Sequence, residues 1–334
     1  MGETLGDLGE FGLISRLLER VPVRGDAVVV GPGADDAAVV QVGDRSLIAT
    51  ADLSIEGRHF DRRFSSPSDI GWKALTVNVS DIAAMGGRPL WALLSIGAPA
   101  DTAVEVLEQL YDGIAEAARA QGVLIIGGDT VGADVLVVSV ALLGEPGSAG
   151  PVTRGGAHEG DLLCVTGALG AAAAGLALLR SGEDGDGEAR ALLARFPGLA
   201  EAHRRPIARV REGRAAAEAG ARAMIDVSDG FSQDARHLHE ASRIGGGLDP
   251  DAVPRAEGVV EADAWMHARD PVHRSFALNG GDDYELIMAV PPEVLEAVTA
   301  AVAPTALTVV GGFEFVQLAL EEDGGGWDSF KGPR

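Results

Sequence analysis

The run of residues 78–87 constrains this sequence more than any other, because it places the carboxylate of Asp81 inside an apolar segment. Between residues 69 and 85, apolar side chains recur at every third or fourth position, a spacing typical of a helix with one buried face. Gly86 and Gly87 favour a helix end directly after this run. A buried carboxylate must be paired, hydrogen-bonded or bound to a metal ion. The stretch alone therefore leaves Asp81 open as a structural acid or as a ligand.

The composition narrows the range of partners. The chain has 334 residues, of which 46% are hydrophobic, enough for two domains with their own cores. A formal net charge of -23 disfavours nucleic acid and membrane surfaces as partners, because both carry negative charge. The single cysteine, Cys164, excludes an internal disulfide and a cysteine-rich metal site. The sequence predicts neither a signal peptide nor a membrane-spanning run, so the expected location is the cytoplasm.

Acidic residues recur beside small residues, either near the ends of predicted strands or in a predicted helix of small residues. Carboxylates without an accompanying set of His and Cys suit hard cations, Mg²⁺ before Zn²⁺. Each acid has an alternative interpretation as a turn or cap residue, but their recurrence favours a metal site that shares its shell with phosphates. The acids concerned are Asp35, Asp36, Asp52, Asp81, Asp129, Asp226 and Asp229.

A stretch rich in Gly and Pro, residues 144–151, is the clearest linker in the sequence. It predicts an N-terminal domain of residues 1–146 and a C-terminal domain of residues 151–334. On both sides of the linker, strand-like runs alternate with helical ones.

Motifs of several well-known enzyme classes are missing from the sequence. It contains neither the Gly-Lys-Ser/Thr of a Walker A loop nor the Gly-rich and catalytic loops of protein kinases. A hydrolase triad could be assembled from Ser228 and His237, but no Gly-x-Ser-x-Gly motif supports it.

Eight motifs stand out along the chain. They are Gly-Pro-Gly-Ala-Asp-Asp-Ala-Ala at residues 31–38 and the segments 52–60, 78–87, 127–130, 153–161, 226–230, 280–286 and 326–330. In order and spacing they resemble the thiamine-monophosphate kinase family, in the superfamily of aminoimidazole-ribonucleotide synthetase and selenophosphate synthetase. The resemblance runs from about Gly9 to the C-terminus and implies an α/β (α+β) protein.

The resemblance implies a two-domain PurM-like fold and a homodimer in which the N-terminal sheets of two subunits form a barrel-like core. It implies that ATP lies between the domains, the N-terminal domain serving dimerisation and Mg-ATP binding and the C-terminal domain completing the nucleotide and substrate site. The implied reaction is direct in-line transfer of the γ-phosphoryl group of ATP to thiamine monophosphate, assisted by several Mg²⁺ ions, which gives thiamine diphosphate.

Matching positions imply a set of site residues, with Asp81, Asp129 and Asp229 at the catalytic centre. The implied metal ligands are Asp36, Thr50, Ala51, Asp52, Asp81, Asp129, Asp226 and Asp229. The implied nucleotide contacts are Gly128, Asp129, Arg154, Ser228 and Tyr111. The implied contacts to thiamine monophosphate are His59, Asp282 and Trp327.

Two positions depart from the family pattern. Ala51 stands where the family usually has Thr, so a metal contact there is restricted to the backbone carbonyl. Asp282 stands where the family usually has Glu, which is one methylene longer. Among the alternatives, a selenophosphate-type enzyme would want a reactive N-terminal Cys and a hydrogenase-maturation relative a C-terminal Cys. An amidine-forming synthetase is the other alternative within the superfamily, and a non-catalytic Mg-nucleotide sensor would be expected to have lost some of the acids.

Overall fold

The computed structural model describes residues 4–21 and 25–314, and its elements form two groups along the chain. The first group comprises α1 (Leu5–Leu18), β1 (Val28–Val30), β2 (Ala38–Val42), β3 (Arg45–Ile55), α2 (Pro67–Ala84), β4 (Gly87–Ala98), α3 (Val104–Gln121), β5 (Leu124–Gly132) and β6 (Val137–Pro146). The second comprises β7 (Leu162–Thr166), α4 (Ala171–Glu183), α5 (Gly187–Arg195), α6 (Pro197–Arg204), α7 (Val210–Ala219), β8 (Ala223–Asp226), α8 (Phe231–Ser242), β9 (Gly245–Leu248), α9 (Val259–His267), α10 (Phe276–Asn279), β10 (Leu286–Val290), a 3₁₀ turn (Pro292–Val294), α11 (Leu295–Val302) and β11 (Leu307–Glu314).

The first sheet has six strands in the order β1-β2-β3-β6-β4-β5. Neighbouring strands are antiparallel except β4 and β5, which are parallel. The helices α2 and α3 pack against each other, and their apolar residues share one core with the sheet, in which Ile48, Leu75 and Leu142 are fully buried. Leu93 alternates with the buried residues of β4 and is 45% exposed, and β5 is exposed along its whole length. One face of this sheet is therefore left uncovered by the residues that the structure describes.

The helix α2 forms where the apolar spacing predicts it. Its N-terminus carries a capping box, in which the Ser66 hydroxyl accepts a hydrogen bond from the Asp69 backbone N–H and the Asp69 carboxylate accepts one from the Ser66 N–H. Gly86, with φ +65°, follows its C-terminus in the left-handed conformation that ends helices. A Cβ at Gly71 would overlap the Leu110 carbonyl oxygen, so this glycine lets α3 lie unusually close.

The second sheet has five strands in the order β8-β10-β7-β11-β9, all neighbours being antiparallel. One core contains Phe231, Trp265 and Phe276, and a second contains Met224 and Met288. The second core also includes Ala84, the last residue of α2. Because α2 contacts β3 and β4 of the first sheet as well as β8 and α7 of the second group, it joins the two halves of the molecule.

Two acids lie inside strands, where the sequence predicted them at strand ends. β3 extends through Asp52 to Ile55, and β5 extends through Asp129 to Gly132. For Asp129 the prediction was wrong because Gly128 does not break β5. Gly128 pairs with Leu94 of β4, and a Cβ at residue 128 would overlap the Leu94 carbonyl oxygen. β6 likewise runs three residues into the predicted linker, to Pro146. The domain boundary itself stays a prediction. In the ranges the structure describes, no helix has the length and apolarity to cross a bilayer.

Candidate functional site

Carboxylates from three separate segments meet beside α2. Asp36 follows β1, Asp81 lies in the last turn of α2, and Asp226 ends β8. One oxygen of each lies within 4.8 Å of one oxygen of each of the others. The two halves of the chain thus contribute jointly to one acidic cluster, which we call the acid cluster (Asp36, Asp81 and Asp226).

Short hydrogen bonds fix the orientation of the acid cluster. The Thr50 hydroxyl donates to Asp81 Oδ2 at 2.5 Å, and the Ser80 hydroxyl donates to Asp226 Oδ2 at 2.5 Å. Asn78, one turn before Asp81, accepts a hydrogen bond from the Asp52 backbone N–H at 3.1 Å. The helix α2 therefore contacts β3 on one side and β8 on the other through adjacent polar residues. Ser80 carries no signal in the sequence that distinguishes it from an ordinary helix residue.

Burial and mutual repulsion oppose ionisation of the acid cluster. Burial, then repulsion from Asp52, Asp226 and Asp36, raises the pKa of Asp81 well above its ordinary value. Burial raises the pKa of Asp226 to about 8, with Asp36 adding to the effect. A cation placed among the three oxygens would remove this repulsion.

The donor set fits Mg²⁺. All ligand atoms of the acid cluster are carboxylate oxygens, the type of donor that hard divalent cations prefer. Asp36 Oδ2 is buried and has no hydrogen-bond partner among the described residues, so an oxygen with free coordination capacity lies at the cluster. These residues are the ones that would hold the ion.

Arg154 supplies positive charge at the edge of the acid cluster. Its Nη2 donates to Asp36 Oδ1, and its backbone N–H donates to Asp35 Oδ2 at 2.9 Å. Burial, then repulsion from Asp36, raises the pKa of Asp35 to about 7. The sequence groups Asp35 with the acids that favour a metal site, but the family resemblance assigns it no ligand role. Here it holds the backbone of Arg154.

The turn after β8 is shaped by an acid that sequence reasoning did not place in the site. Asp234 Oδ2 accepts hydrogen bonds from the backbone N–H groups of Ser228 at 3.1 Å, Asp229 at 3.2 Å and Gly230 at 3.0 Å. The Asp229 carboxylate in turn accepts a hydrogen bond from Gln233 at 3.0 Å. Asp234 thereby fixes the loop that presents Ser228 and Asp229. Its position shortly after the Ser-Asp-Gly turn was the available signal, since side chains there can cap preceding N–H groups.

Three of the predicted site residues lie together away from the acid cluster. A cavity of about 420 Å³ is lined by Tyr111, Gly128 and Asp129, with Ile125, Gly127 and Thr130 completing its wall. Asp129 Oδ1 accepts a hydrogen bond from the Thr130 backbone N–H at 2.8 Å. The structure therefore places Asp129 with the predicted nucleotide contacts, on the exposed strand β5.

The remaining predicted residues are placed as follows. Ala51 lies in β3 between Thr50 and Asp52, and because side chains alternate along a strand, its methyl group points away from the face that Thr50 presents to Asp81. His59 accepts a hydrogen bond from the Ile55 backbone N–H at its Nδ1, 3.1 Å away. Asp282 forms an ion pair with Lys73. Trp327 lies outside the described residues.

The chain matches two family models. Residues 34–145 match the AIR synthase related protein, N-terminal domain, and residues 158–313 match the AIR synthase related protein, C-terminal domain. A thiamine-monophosphate kinase of Mycobacterium tuberculosis is 37% identical over 336 aligned positions, which cover 99% of this chain and 94% of that protein. The chain belongs to the thiamine-monophosphate kinase family.

Solved structures similar to this chain include thiamine-monophosphate kinases. One, described as AaThiL complexed with AMPPCP and TMP, is 31% identical with a TM-score of 0.78 and covers 95% of this chain and 94% of that chain. The thiamine monophosphate kinase from Aquifex aeolicus is 30% identical with a TM-score of 0.75, covering 91% and 94%. The predicted two-domain PurM-like α/β fold is thus confirmed.

Proposed function

We propose that the chain catalyses the ATP-dependent phosphorylation of thiamine monophosphate to thiamine diphosphate. Its membership of the thiamine-monophosphate kinase family supports this reaction. The structural observation that carries the proposal is the convergence of Asp36, Asp81 and Asp226 from three segments. AaThiL, a solved relative, forms a complex with AMPPCP, which is an ATP analogue, and with TMP.

The acid cluster would hold Mg²⁺ directly, because its three oxygens are the described carboxylate atoms that lie within 4.8 Å of one another. When bound there, Mg²⁺ would neutralise negative charge on the phosphates of ATP. The other predicted ligands would complete the shells of several ions around the ATP phosphates. They are Thr50, the carbonyl of Ala51, Asp52, Asp129 and Asp229.

The reaction joins two anions, so its main barrier is electrostatic. Two unit charges about 4 Å apart repel by about 4 kcal/mol at an effective dielectric constant of about 20. In the proposed step an oxygen of the thiamine monophosphate phosphate attacks the γ-phosphorus in line, and the bond from that phosphorus to the oxygen of ADP breaks. The attacking phosphate is already ionised at neutral pH, so no general base is required. Accordingly we assign no proton transfer to His59.

The chain's own residues would then bind and orient the two substrates. Arg154, already beside Asp36, is placed to donate to a phosphate of the nucleotide. The cavity lined by Tyr111, Gly128 and Asp129 is the proposed place for another part of the nucleotide. In this arrangement residues 1–146 provide most of the Mg-ATP site, and residues 151–334 complete it through Arg154, Asp226 and Ser228. His59, Asp282 and Trp327 are the proposed contacts to thiamine monophosphate.

We also propose that the protein is a homodimer that uses the uncovered face of the first sheet. This face and the edge strand β5 expose Trp91, Leu93, Leu124 and Ile126, which are between 38% and 64% exposed. A strand edge bordered by apolar side chains is a surface that proteins normally cover. A second copy of the same sheet would complete the barrel-like core that the family resemblance implies.

The reaction is tested with purified protein, ATP, MgCl₂ and thiamine monophosphate. We expect thiamine diphosphate and ADP to form in equal amounts, which chromatography of the products would measure. Hydrolysis of ATP alone would contradict the proposal. A requirement for formylglycinamidine ribonucleotide would instead identify the amidine-forming alternative.

A further inference from the structure

The segment that carries Asp226 and Asp229 is held by a second loop, residues 282–285. The backbone N–H of Asp282 donates to the Ser228 carbonyl at 2.9 Å. The N–H of Tyr284 donates to the Val227 carbonyl at 2.9 Å, and the Val227 N–H donates to the Glu285 carbonyl at 2.8 Å. The loop thus lies alongside residues 226–229 like a neighbouring strand. A shift of this loop would therefore move Asp226 and Asp229.

The 282–285 loop has an unfavourable backbone conformation at two positions. Asp282 has φ +69° and Tyr284 has φ +52°, and among the described non-glycine residues only Arg243 shares a positive φ. Such a conformation is energetically unfavourable and persists only where its surroundings hold it in place. Aspartate tolerates this conformation better than most residues, because its short side chain clashes less with the backbone. The surroundings of Asp282 therefore decide whether the loop keeps its shape.

A partly buried ion pair provides that support, in which the Asp282 side chain is 34% exposed. Lys73 of α2 has a side chain that is 12% exposed, and its Nζ donates to Asp282 Oδ2 at 2.7 Å. The Tyr284 hydroxyl donates to the other oxygen, Asp282 Oδ1, at 2.8 Å. Both oxygens of the carboxylate are therefore bonded to groups of the protein. Burial raises the pKa of Asp282, but the nearby Lys73 charge, with the hydrogen bonds from Lys73 and Tyr284, outweighs burial and holds that pKa below its ordinary value.

The third group at this position is His203 of α6, whose Nδ1 lies 3.5 Å from Lys73 Nζ. Burial, then repulsion from Lys73, lowers the pKa of His203 to about 3, so the ring is neutral and can accept a hydrogen bond from the ammonium group. Among the described residues, Asp282 is therefore the only acid within ion-pair distance of Lys73. Loss of either partner would leave a partly buried charge without its counterion.

We propose that Lys73 is a positioning residue for phosphoryl transfer: its ion pair with Asp282 holds the 282–285 loop in its strained conformation and thereby sets Asp226 and Asp229 relative to Asp81. Lys73 and Asp81 lie on the same helix, so α2 carries one member of the acid cluster and, through Lys73, supports the segment carrying another. The inference rests on the proposed function, because the acids matter to turnover only if they serve it.

The first test compares Lys73→Met, Lys73→Arg and a control, Arg269→Gln, which removes an exposed pair with Asp186 and Glu188. We expect Lys73→Met to lower kcat about 10- to 100-fold, because small displacements of catalytic groups have effects of this size. The KM for ATP should stay within about 2-fold, since Lys73 is not one of the proposed nucleotide contacts. Lys73→Arg should recover part of kcat, and the control should match the wild type. Unchanged kcat in Lys73→Met would overturn the proposal.

The second test distinguishes positioning from direct contact with substrate. If Lys73 acts through Asp282, the double variant Lys73→Met/Asp282→Asn should lose no more activity than the worse single variant. If the two losses multiply, and Lys73→Met alone raises the KM for thiamine monophosphate above that of the wild type, Lys73 binds substrate and the proposal is wrong. The double variant leaves no unpaired charge, so it also serves as the test if Lys73→Met alone fails to fold.

A third measurement needs no turnover. The MgCl₂ concentration that produces half of the thermal stabilisation should rise in Lys73→Met, because Asp226 would be held less firmly toward Asp81 and Asp36. An unchanged midpoint would contradict the inference. If the wild-type protein forms no thiamine diphosphate, the proposed function fails, whereas this midpoint still decides whether Lys73 positions the acid cluster.

Discussion

Asp81 accepts a hydrogen bond from Thr50 and shares its surroundings with Asp36 and Asp226. Asp81→Asn keeps the size of the side chain and an oxygen that can accept the Thr50 hydrogen bond, but it removes the charge. We expect kcat to fall by about 100-fold or more, since the site loses charge that balances the cations. The cation-free protein should melt at a higher temperature, because the buried repulsion is relieved.

The matched control for this variant is Asp44→Asn, in the exposed turn between β2 and β3. Both properties should be unchanged in the control, as measured by steady-state kinetics and thermal melting. Full activity in Asp81→Asn would return Asp81 to a purely structural role.

The raised pKa values also predict how stability depends on pH. Those of Asp35, about 7, and Asp226, about 8, lie above the values of the unfolded chain. The stability these protonated acids provide is present at low pH and is lost as the pH rises through their folded-state values. The pKa of His203 is lowered from 6.5 to about 3, so its contribution to stability is lost as the pH falls below 6.5. His203 therefore does not affect the pH dependence of stability above pH 6.5.

We therefore expect the Tm of EDTA-treated protein to fall from pH 6.5 to about pH 8.5. Asp226→Asn should flatten this decline, and MgCl₂ should reverse it in the wild type. A Tm that is constant or rising over this range, measured by differential scanning calorimetry, would show that the acids are not under the predicted repulsion.

Among the elements, the contact between α2 and α3 depends on glycine. A Cβ at Gly113 of α3 would overlap the Ser68 carbonyl oxygen of α2, which is a backbone atom and cannot rotate away. Gly113→Ala should therefore lower the free energy of unfolding by about 1–3 kcal/mol, despite the better helix propensity of alanine. The matched control is Gly187→Ala at the start of α5, where no atom lies within 4 Å of the added Cβ. Equal effects of the two substitutions in urea unfolding would refute this packing argument.

The elements also show what the sequence could predict. The helix α2 was predictable because its apolar spacing and Gly86 act locally. The placement of Asp129 inside β5 was not, because Gly128 resembles a strand break unless its close approach to Leu94 is known. Lys73 gave no signal, since its partner Asp282 lies 209 positions away. Local patterns therefore predicted the elements and the acids, and long-range contacts had to come from the fold.

For the whole molecule, the uncovered sheet face makes a prediction about assembly. Light scattering should give a mass twice that of one chain. Ile126→Asp, on the exposed strand β5, should shift the protein toward monomers because a charge would be buried at the interface. Val272→Asp, at a position that is 83% exposed in the second half of the chain, is the control and should remain dimeric. A monomeric wild type would leave the apolar face unexplained and exclude the barrel-like core.

We infer that the acid cluster serves transfer of a phosphoryl group from ATP to the phosphate of thiamine monophosphate. The most direct test incubates the protein and MgCl₂ with thiamine monophosphate and ATP labelled at the γ-phosphorus. We expect the label to appear in the terminal phosphate of thiamine diphosphate, and we expect Asp81→Asn to lower the rate of label transfer by about 100-fold or more. Label recovered only as inorganic phosphate, or transferred equally fast by Asp81→Asn, would contradict this role of the acid cluster.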